Sequence, residues 1–569
     1  MRNWLKTRIG ATAVLVAAAG ALGSGPASGA LAASPGVAAA RGGTWSAPRF
    51  LRRAPGLESR GSYVGTLSCG SPGNCVAGGS VTDSGGMRQA MVVDEVNGSW
   101  RMPRIVPGTQ ALNAGGYAEV TSVSCWSPGD CAAGGDYLVP ASGSRASERA
   151  YVVTEANGTW GTARPVPGIV SSTLGSMVTS VSCTPDGTCV AGGNDDATGA
   201  SQGFVTSRGD GPWSAARDIP GLGGLAQVSC GAAGDCAAIS GDHVATSAAG
   251  TWDRARRLPL GAGLSASGEV YYASISCPGA GDCAAGGRYG AAHVNEAVVA
   301  DEHRGRWGAV QPLGGLPRYG GPAGIESVSC SAPGDCAAGG DYVRRDEPLA
   351  FVVAESAGTW GTPHTVASPA ARAGSQARVG AVSCPPGPAG DCAYAGEWAS
   401  EPPSPTMSGM FLGEQSGGTW TPALIVTSGT AGALRALSCP AAGLCAAGGQ
   451  AGPDPGAGFV LRSATTTATS LVIVRGLAPR AGAAPGPVKT ARATVWVMSR
   501  NGGTPDGQVM LIDGSATICA ITLTRGTGRC LLSAAALRPG AAVVARYLGS
   551  ADFFGSASPR LVIGPRSRR

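Results

Sequence analysis

The sequence predicts an all-β protein: an eight-bladed β-propeller of four-stranded blades, followed by a smaller β-sandwich. Three periodic observations predict the ring. Sixteen of the 18 cysteines fall into eight close pairs, and the first cysteines of successive pairs recur every 47 to 58 residues. Eight tryptophans keep step with them: Trp45, Trp100, Trp160, Trp213, Trp252, Trp307, Trp360 and Trp420 each precede a pair by 17 to 25 residues. A third landmark, within or beside a short apolar run, lies nine residues before a tryptophan at Met91, Tyr151, Phe204, His243, Val298, Phe351 and Phe411. A repeat of about 50 residues belongs to propellers and related arrays.

Each repeat holds four strand candidates. Strand A ends in a "VSC"-like run, strand B is "CAAGG", strand C is "FVVAE"-like, and strand D begins at the tryptophan. Ser127-Pro128-Gly129-Asp130 joins A to B, with Pro and Gly where a type II turn needs them. Asn97-Gly98 and Asn157-Gly158 join C to D, a strong two-residue hairpin signal. Four antiparallel strands per unit make a propeller blade, with a linear solenoid as the competing arrangement. The count favours a ring. A lone strand D occurs first, at Trp45, and the last unit has strands A, B and C but no D. The strand at Trp45 is therefore expected to pair with the strand at Phe459 and close the last blade, which removes the exposed edges an open array would keep.

The cysteine pairs are read as hairpin disulfides that bracket the A–B turn: Cys69/Cys75, Cys125/Cys131, Cys183/Cys189, Cys230/Cys236, Cys277/Cys283, Cys330/Cys336, Cys384/Cys392 and Cys439/Cys445. The remaining two, Cys519 and Cys530, flank a turn near Thr524-Arg525 and are expected to pair across that hairpin rather than between sheets. A metal site is not indicated, because the four histidines, His243, His293, His303 and His364, show no repeated ligand spacing. No cofactor is implied. One tryptophan per repeat at a fixed position reads as blade docking rather than sugar stacking. Glu95, Glu155, Glu302 and Glu355 each precede a tryptophan by five residues, which a two-residue turn places opposite it.

Export is read from the N-terminus. Arg2, Lys6 and Arg8 precede an apolar run from Ile9 to about Leu22, and Ala30-Leu31-Ala32 fits a cleavage site, so residues 1–33 are expected to be a signal peptide. The apolar run is short for a bilayer span. Without those three basic residues the net charge falls from +6 to +3, which implies neither a nucleic-acid nor an anionic-membrane partner. Paired cysteines in an exported chain suit a secreted, extracellular location, with cell-wall association as an option. The expected domains are the propeller at 34–463, a polar linker at 464–471, and a C-terminal domain at 472–569 with a basic tail.

The run "SxPGDCAAGG…AFVVxExxGTW" resembles a repeat of exported actinobacterial proteins over residues 45–461, a resemblance that brings no activity with it. The turn before each tryptophan also resembles the Asp-box hairpin of sialidase-type propellers, but Gly158 lies two residues before Trp160 instead of three and the box aspartate is missing, so no sialidase activity is implied. The C-terminal domain reads as a β-sandwich from its short alternating strands. Its Gly502-Gly503-Thr504-Pro505, Asp513-Gly514 and Tyr547-Leu548-Gly549-Ser550-Ala551-Asp552-Phe553 resemble bacterial Ig-like repeat domains of cell-surface proteins, which implies a spacer or adhesion module.

Function is expected where the repeats stop agreeing. The A–B and C–D turns emerge on one face and are constant; the B–C and D–A connections emerge on the other and vary, from seven residues before His243 to 20 before Tyr151, counted from the second cysteine. Variable loops on a rigid scaffold concentrate binding residues. The candidates are Tyr137, Tyr289, Tyr342, Arg344, Arg345 and Trp398. With no catalytic residues legible, the leading reading is a secreted, non-catalytic binding or adhesion scaffold for a glycan or cell-surface protein. The alternatives are an extracellular glycan-active hydrolase or lyase and a structural envelope protein without a specific ligand. A hydrolase would need converging carboxylates, with Tyr and Arg, at one end of the axis. Asp195-Asp196 and Asp346-Glu347 are the acidic pairs in the variable loops.

Overall fold

The computed structural model describes residues 44–563 apart from short connecting stretches, the longest being 476–489. The signal peptide expected at 1–33 lies outside the described residues. The chain forms eight antiparallel sheets in sequence, each with strand A innermost, followed by two further sheets at the C-terminus. Blade 2 shows the pattern: strand A is Ala118–Ser127, B is Asp130–Val139, C is Ser147–Ala156, and D is split into Thr159–Trp160 and Arg164–Pro165. Strand D begins at the tryptophan but is interrupted. It breaks after the tryptophan in seven of the eight blades, and Gly161 and Pro165 (with Pro48 in the first strand D) show why: small and proline residues crowd this segment, and proline donates nothing to a ladder.

The last blade closes as expected. Its strands A to C are Gly432–Ala441, Leu444–Ala451 and Ala457–Ala464. The N-terminal strand completes it, with Thr44 opposite Ala464, Trp45 opposite Ser463 and Phe50 opposite Phe459. The turns are those the sequence specifies. Gly129 has φ 79°, as the third position of a type II turn requires, and Asn97 and Gly98 have φ 50° and 74°, a type I′ hairpin. The same hairpin is imposed on less suited residues: Ala249, Arg304 and Ala357 also have φ near 50°. The two turns of a blade sit together, since Gly158 N–H donates to Gly129 O at 2.8 Å, and the same bond recurs in blades 1, 4, 5, 6 and 7.

All eight blade disulfides form, with Cα–Cα distances of 3.9 to 4.1 Å. That spacing belongs to the narrow, non-hydrogen-bonded pair of an antiparallel ladder, and it has a consequence. The N–H of the first cysteine points away from strand B, along the bare inner edge of the blade. It is met by the serine that precedes the first cysteine of the previous blade. Cys125 N–H donates to Ser68 Oγ at 2.9 Å, Cys183 to Ser124, Cys230 to Ser182, Cys277 to Ser229, Cys330 to Ser276, Cys384 to Ser329 and Cys439 to Ser383. Cys69 N–H donates to Ser438 Oγ at 3.1 Å and closes the circle from blade 8 to blade 1.

The glycine pair of "CAAGG" is a packing requirement. A Cβ on Gly134 would lie 2.5 Å from Val178 of the next blade, and one on Gly135 would lie 1.9 Å from Glu119 O. The second approach is caused by a bulge in strand A between Val120 and Ser122, repeated in seven of the blades. At the seam, Gly448 of blade 8 lies in the same way against Val64 of blade 1, 2.5 Å from where its Cβ would be. The tryptophans dock blades as expected: Trp160 Nε1 donates to Asp94, Trp360 Nε1 to Asp301 and Trp45 Nε1 to Glu414, each on the preceding blade.

The C-terminal region is a two-sheet sandwich. Thr467–Arg475, Thr490–Ser499 and Thr527–Ser533 form one sheet; Gln508–Asp513, Ala516–Thr522, Ala542–Tyr547, Ser556–Ala557 and Leu561–Val562 form the other. Val495, Val497, Leu511, Val543 and Tyr547 fill the space between. Two expectations are corrected here. The linker at 464–471 is far shorter, because Ala464 still belongs to blade 8 and Thr467 already pairs with Ser499; the β-branched run 465–469 is good strand material. Cys519 and Cys530 do bond to each other, but their strands diverge after the Thr524–Thr527 bridge into different sheets, so the bond ties the sheets together.

Two stability predictions follow from these contacts. Gly340→Ala, whose Cβ would fall 1.9 Å from Gly324 O, is expected to cost roughly 3 kcal/mol or more in chemical denaturation. Ala357→Asn, which places a residue tolerant of positive φ in the type I′ turn, is expected to stabilise the chain by about 1 kcal/mol in the same assay.

Candidate functional site

Seven of the eight strands B carry, five residues after the second cysteine, a polar position whose residue type varies. It is Ser80, Asp136, Asn194, Arg288, Asp341, Glu397 and Gln450 in blades 1, 2, 3, 5, 6, 7 and 8. Its register partner on strand A is Tyr63, Glu119, Met177, Tyr271, Gly324, Arg378 and Ala433. These pairs lie at the end of the ring from which the variable B–C and D–A connections emerge. Polar groups converge there in two arcs.

In blades 1 and 2, Tyr117 Oη donates to Glu119 Oε2 at 2.7 Å, and Arg88 Nε donates to Ser80 Oγ at 3.0 Å while its guanidinium covers the Tyr117 ring at 5.3 Å. Burial, then the neighbouring Glu148 and Glu119, pushes the Asp136 carboxyl up to about 7. Burial raises the Tyr63 hydroxyl, with Glu119 on one side and Glu397 on the other adding to the effect.

In blades 6, 7 and 8 the groups line a cleft of about 480 Å³, with Asp341, Gln376, Arg378, Glu397 and Trp398 among its walls and Pro322 and Pro348 as apolar faces. Arg378 Nε donates to Glu397 Oε1 at 2.7 Å, and Arg435 reaches the same oxygen at 3.2 Å. The second oxygen, Oε2, and the Trp398 Nε1–H are buried with no protein partner. Asp341 is raised to about 6, first by burial and then by Glu326, against the pull of Arg378 and Arg288. The cleft thus holds one carboxylate clamped by two arginines and a second one that burial raises. Among the described residues no group of three or more metal-binding side chains is arranged to hold an ion.

The candidates expected on variable loops sit elsewhere. Tyr137, Tyr289, Tyr342 and Trp398 occupy one equivalent position, immediately after the varying residue, and are 5%, 1%, 4% and 3% exposed. They lie within strand B, two residues before its end, instead of in a loop. Successive strand residues point to opposite faces, so Asp136 and Tyr137 part company, whereas Glu397 and Trp398 both border the cleft. Tyr137 packs on Tyr151, and Tyr342 packs on Phe351 with its hydroxyl at Thr365. Tyr289 Oη bonds the backbone of Ser265. Of the four, Trp398 lines the cleft. Arg344 is exposed at the strand tip opposite Glu347, and Arg345 lies outside the described residues, as does Asp346. Asp195 ends a strand B, and Asp196 follows it outside the converging set. Asp341, Glu397, Arg378 and Arg435 were missed; the signal that marks the first two is the loss of agreement five residues after the second cysteine.

The paired cysteines belong to the scaffold and not to a binding surface. Cys189, Cys236, Cys392 and Cys445, each the second of its pair, are buried, with their sulfurs bonded to Cys183, Cys230, Cys384 and Cys439. None of these four borders the cleft of blades 6, 7 and 8. Their neighbours are apolar: Cys189 packs among Val181, Ala191 and Phe204, and Cys236 among Val190, Val228 and Ala245. Cys392 lies with Tyr394 and Phe411, and Cys445 with Cys439 and Ala393 of the preceding blade. Their counterparts Cys75, Cys131, Cys283 and Cys336 are also buried, but border spaces between blades on the disulfide face. A disulfide has no free thiolate to act as nucleophile or metal ligand, so all eight pairs contribute rigidity alone.

The glutamates before the tryptophans were expected to face their tryptophan and either accept a hydrogen bond or meet solvent. They do pair in register with it, but they are buried on the disulfide face.

No protein-family profile and no curated protein matches the chain. Several solved structures are similar in outline. A post-proline cleaving enzyme from Rickettsia typhi is 8% identical, with 62% of this chain and 49% of that one covered and a TM-score of 0.34. Prolyl oligopeptidase B from Galerina marginata is 10% identical, with 80% and 55% covered and a TM-score of 0.34. A Hadza microbial sialidase is 10% identical, with 66% and 73% covered and a TM-score of 0.31. The chain spans about half the length of the first two. Likenesses this remote carry no activity to this chain; the strand order and closure stand on its own geometry.

The raised carboxyls make stability depend on pH. Burial lifts Glu95, Glu155 and Glu302 to about 7 and Glu355 to about 8, from 4.5. The folded chain therefore binds more protons than the unfolded one between about pH 4.5 and 8, and its stability falls as pH rises through that window. Thermal unfolding is expected to give a higher Tm at pH 5 than at pH 8; a flat profile would contradict the burial of these groups.

Proposed function

We propose that this is an exported scaffold that binds a glycan in the cleft of blades 6, 7 and 8. The observation that carries the reading is the convergence of Arg378, Glu397 and Asp341 in one cleft that Trp398 also borders. A sugar ring supplies hydroxyls that donate to the carboxylates and accept from the guanidinium, with apolar faces for Pro322 and Pro348. The export part is supported by the nine disulfides, which suit an oxidising compartment. The sandwich then serves as a spacer or adhesion module between the ring and the cell surface.

One observation favours a second reading, glycoside hydrolysis. Asp341 and Glu397 hold equivalent positions on adjacent blades, one raised to about 6 and the other clamped by two arginines. Carboxylates in contrasting environments are what acid and base roles require.

A glycan array with the purified chain tests the first reading. Arg378→Ala is expected to weaken any hit tenfold or more, and Trp398→Phe, which removes the N–H and keeps the ring, about fivefold. Absence of any glycan hit would overturn it. Incubation of hits with the protein, followed by a reducing-end assay, separates the two readings: glycan binding alone gives no product. Product formation lost in Asp341→Asn would instead establish hydrolysis.

A further inference from the structure

The repeat allows one cleft to be compared with its counterpart in the same molecule. On the disulfide face, adjacent blades leave a wedge between them. Between blades 1 and 2 it is lined by Asn74, Asp94, Glu95, Arg101 and Glu155, among others. Arg104 supplies the cation: its guanidinium lies 2.5 Å from Asp94 and 3.6 Å from Glu155. Arg104 is placed there by pairing with Val92.

Between blades 5 and 6 the equivalent cleft, of about 370 Å³, is lined by Asp282, Asp301, Glu302, His303 and Glu355, with no arginine or lysine in its walls. The residue paired with Val299, the counterpart of Val92, is Gln311. Gly308 stands where Arg101 stands, and Asp282 where Asn74 stands. The acids remain and the bridging cation is gone. Asp301 accepts from Trp360 Nε1 at 3.1 Å, and Asp282 faces His303 Nδ1 at 2.7 Å. Glu302 is 3% exposed, and neither of its carboxylate oxygens has a hydrogen-bond partner. Burial, then Asp301 and Asp335, lifts Glu355 to about 8, whereas Glu155 beside Arg104 reaches about 7. Arg256 of blade 4 pulls Glu302 the other way, less than burial and Asp282 push it. The described residues hold no arrangement of three or more ligands suited to a metal ion, so an organic cation is the better match.

We propose that the cleft between blades 5 and 6 binds a guanidinium group from outside the ring, in the place that Arg104 fills between blades 1 and 2. The planar fork of a guanidinium can serve two carboxylates at once. Its source is either a small molecule or an arginine residue of a bound peptide.

The test uses the full disulfide-bonded chain at pH 8, with thermal shift and titration calorimetry. The probes are arginine amide, the tripeptide Gly-Arg-Gly, and the neutral isostere Gly-citrulline-Gly. Saturable binding of the arginine probes, absent with citrulline, is expected. Tighter binding of the tripeptide assigns the site to a peptide, and equal binding to a small molecule; either result supports a guanidinium site. Gln311→Arg is expected to raise the ligand-free Tm and weaken probe binding at least tenfold. Glu302→Gln is expected to weaken binding at least tenfold without needing a new side chain to fit. No saturable binding, equal binding of citrulline, an undiminished response in both variants, or the same shift from calcium chloride would each overturn the proposal.

Discussion

A strand A in this fold has strand B on one side only, so alternate N–H groups along the other edge lack a ladder partner. The hydroxyl of the serine before each first cysteine takes one such N–H from the next blade, eight times, and the eighth bond joins blade 8 to blade 1. Buried backbone donors must be paired somewhere, and edges left open invite association with other chains. The "SC" dipeptide answers both demands: the cysteine staples strand A to strand B, and the serine ties the blade to its neighbour. Because the cysteine pair occupies a narrow, non-hydrogen-bonded site, the staple is also what turns that N–H outward to be captured.

That constraint sets where variation is tolerated. In the six blades that have it, the glycine pair after the second cysteine lies against the next blade on one side and against a bulged carbonyl on the other, so neither glycine accepts a side chain there without displacement. One residue further the contact ends. There the blades carry Ser, Asp, Asn, Arg, Asp, Glu and Gln, and there Arg378, Glu397 and Asp341 meet. The candidate site is therefore built on the first free position above a rigid floor, held by strands rather than by loops.

The disulfide face shows that regularity does not mean uniform chemistry. Its backbone repeats, yet the cation within the inter-blade cleft is present at Arg104 and absent at Gln311. The same frame thus holds an acid cluster bridged by an arginine in one place and one without that bridge in another. Burial of Glu95, Glu155, Glu302 and Glu355 couples this whole face to pH.

Most of the architecture was legible in the chain itself. Cysteine spacing, the Pro-Gly and Asn-Gly turns and the orphan strand at Trp45 determined the blade, the staples, the number of blades and the closure, because each is a local rule repeated eight times. The site was legible only in its address. Reading Tyr137 as a loop residue placed it one step past Asp136, and in a strand one step reverses the face. The linker and the Cys519–Cys530 bond were misjudged for a related reason: sequence shows that a strand or hairpin exists, not which sheet it joins. Only the tertiary structure decided which blades' charges meet and that Arg378 and Arg435 share Glu397. Those contacts join residues 19 and 38 positions apart, Arg378 on the paired strand of the same blade and Arg435 on the next blade, and no local pattern announces them.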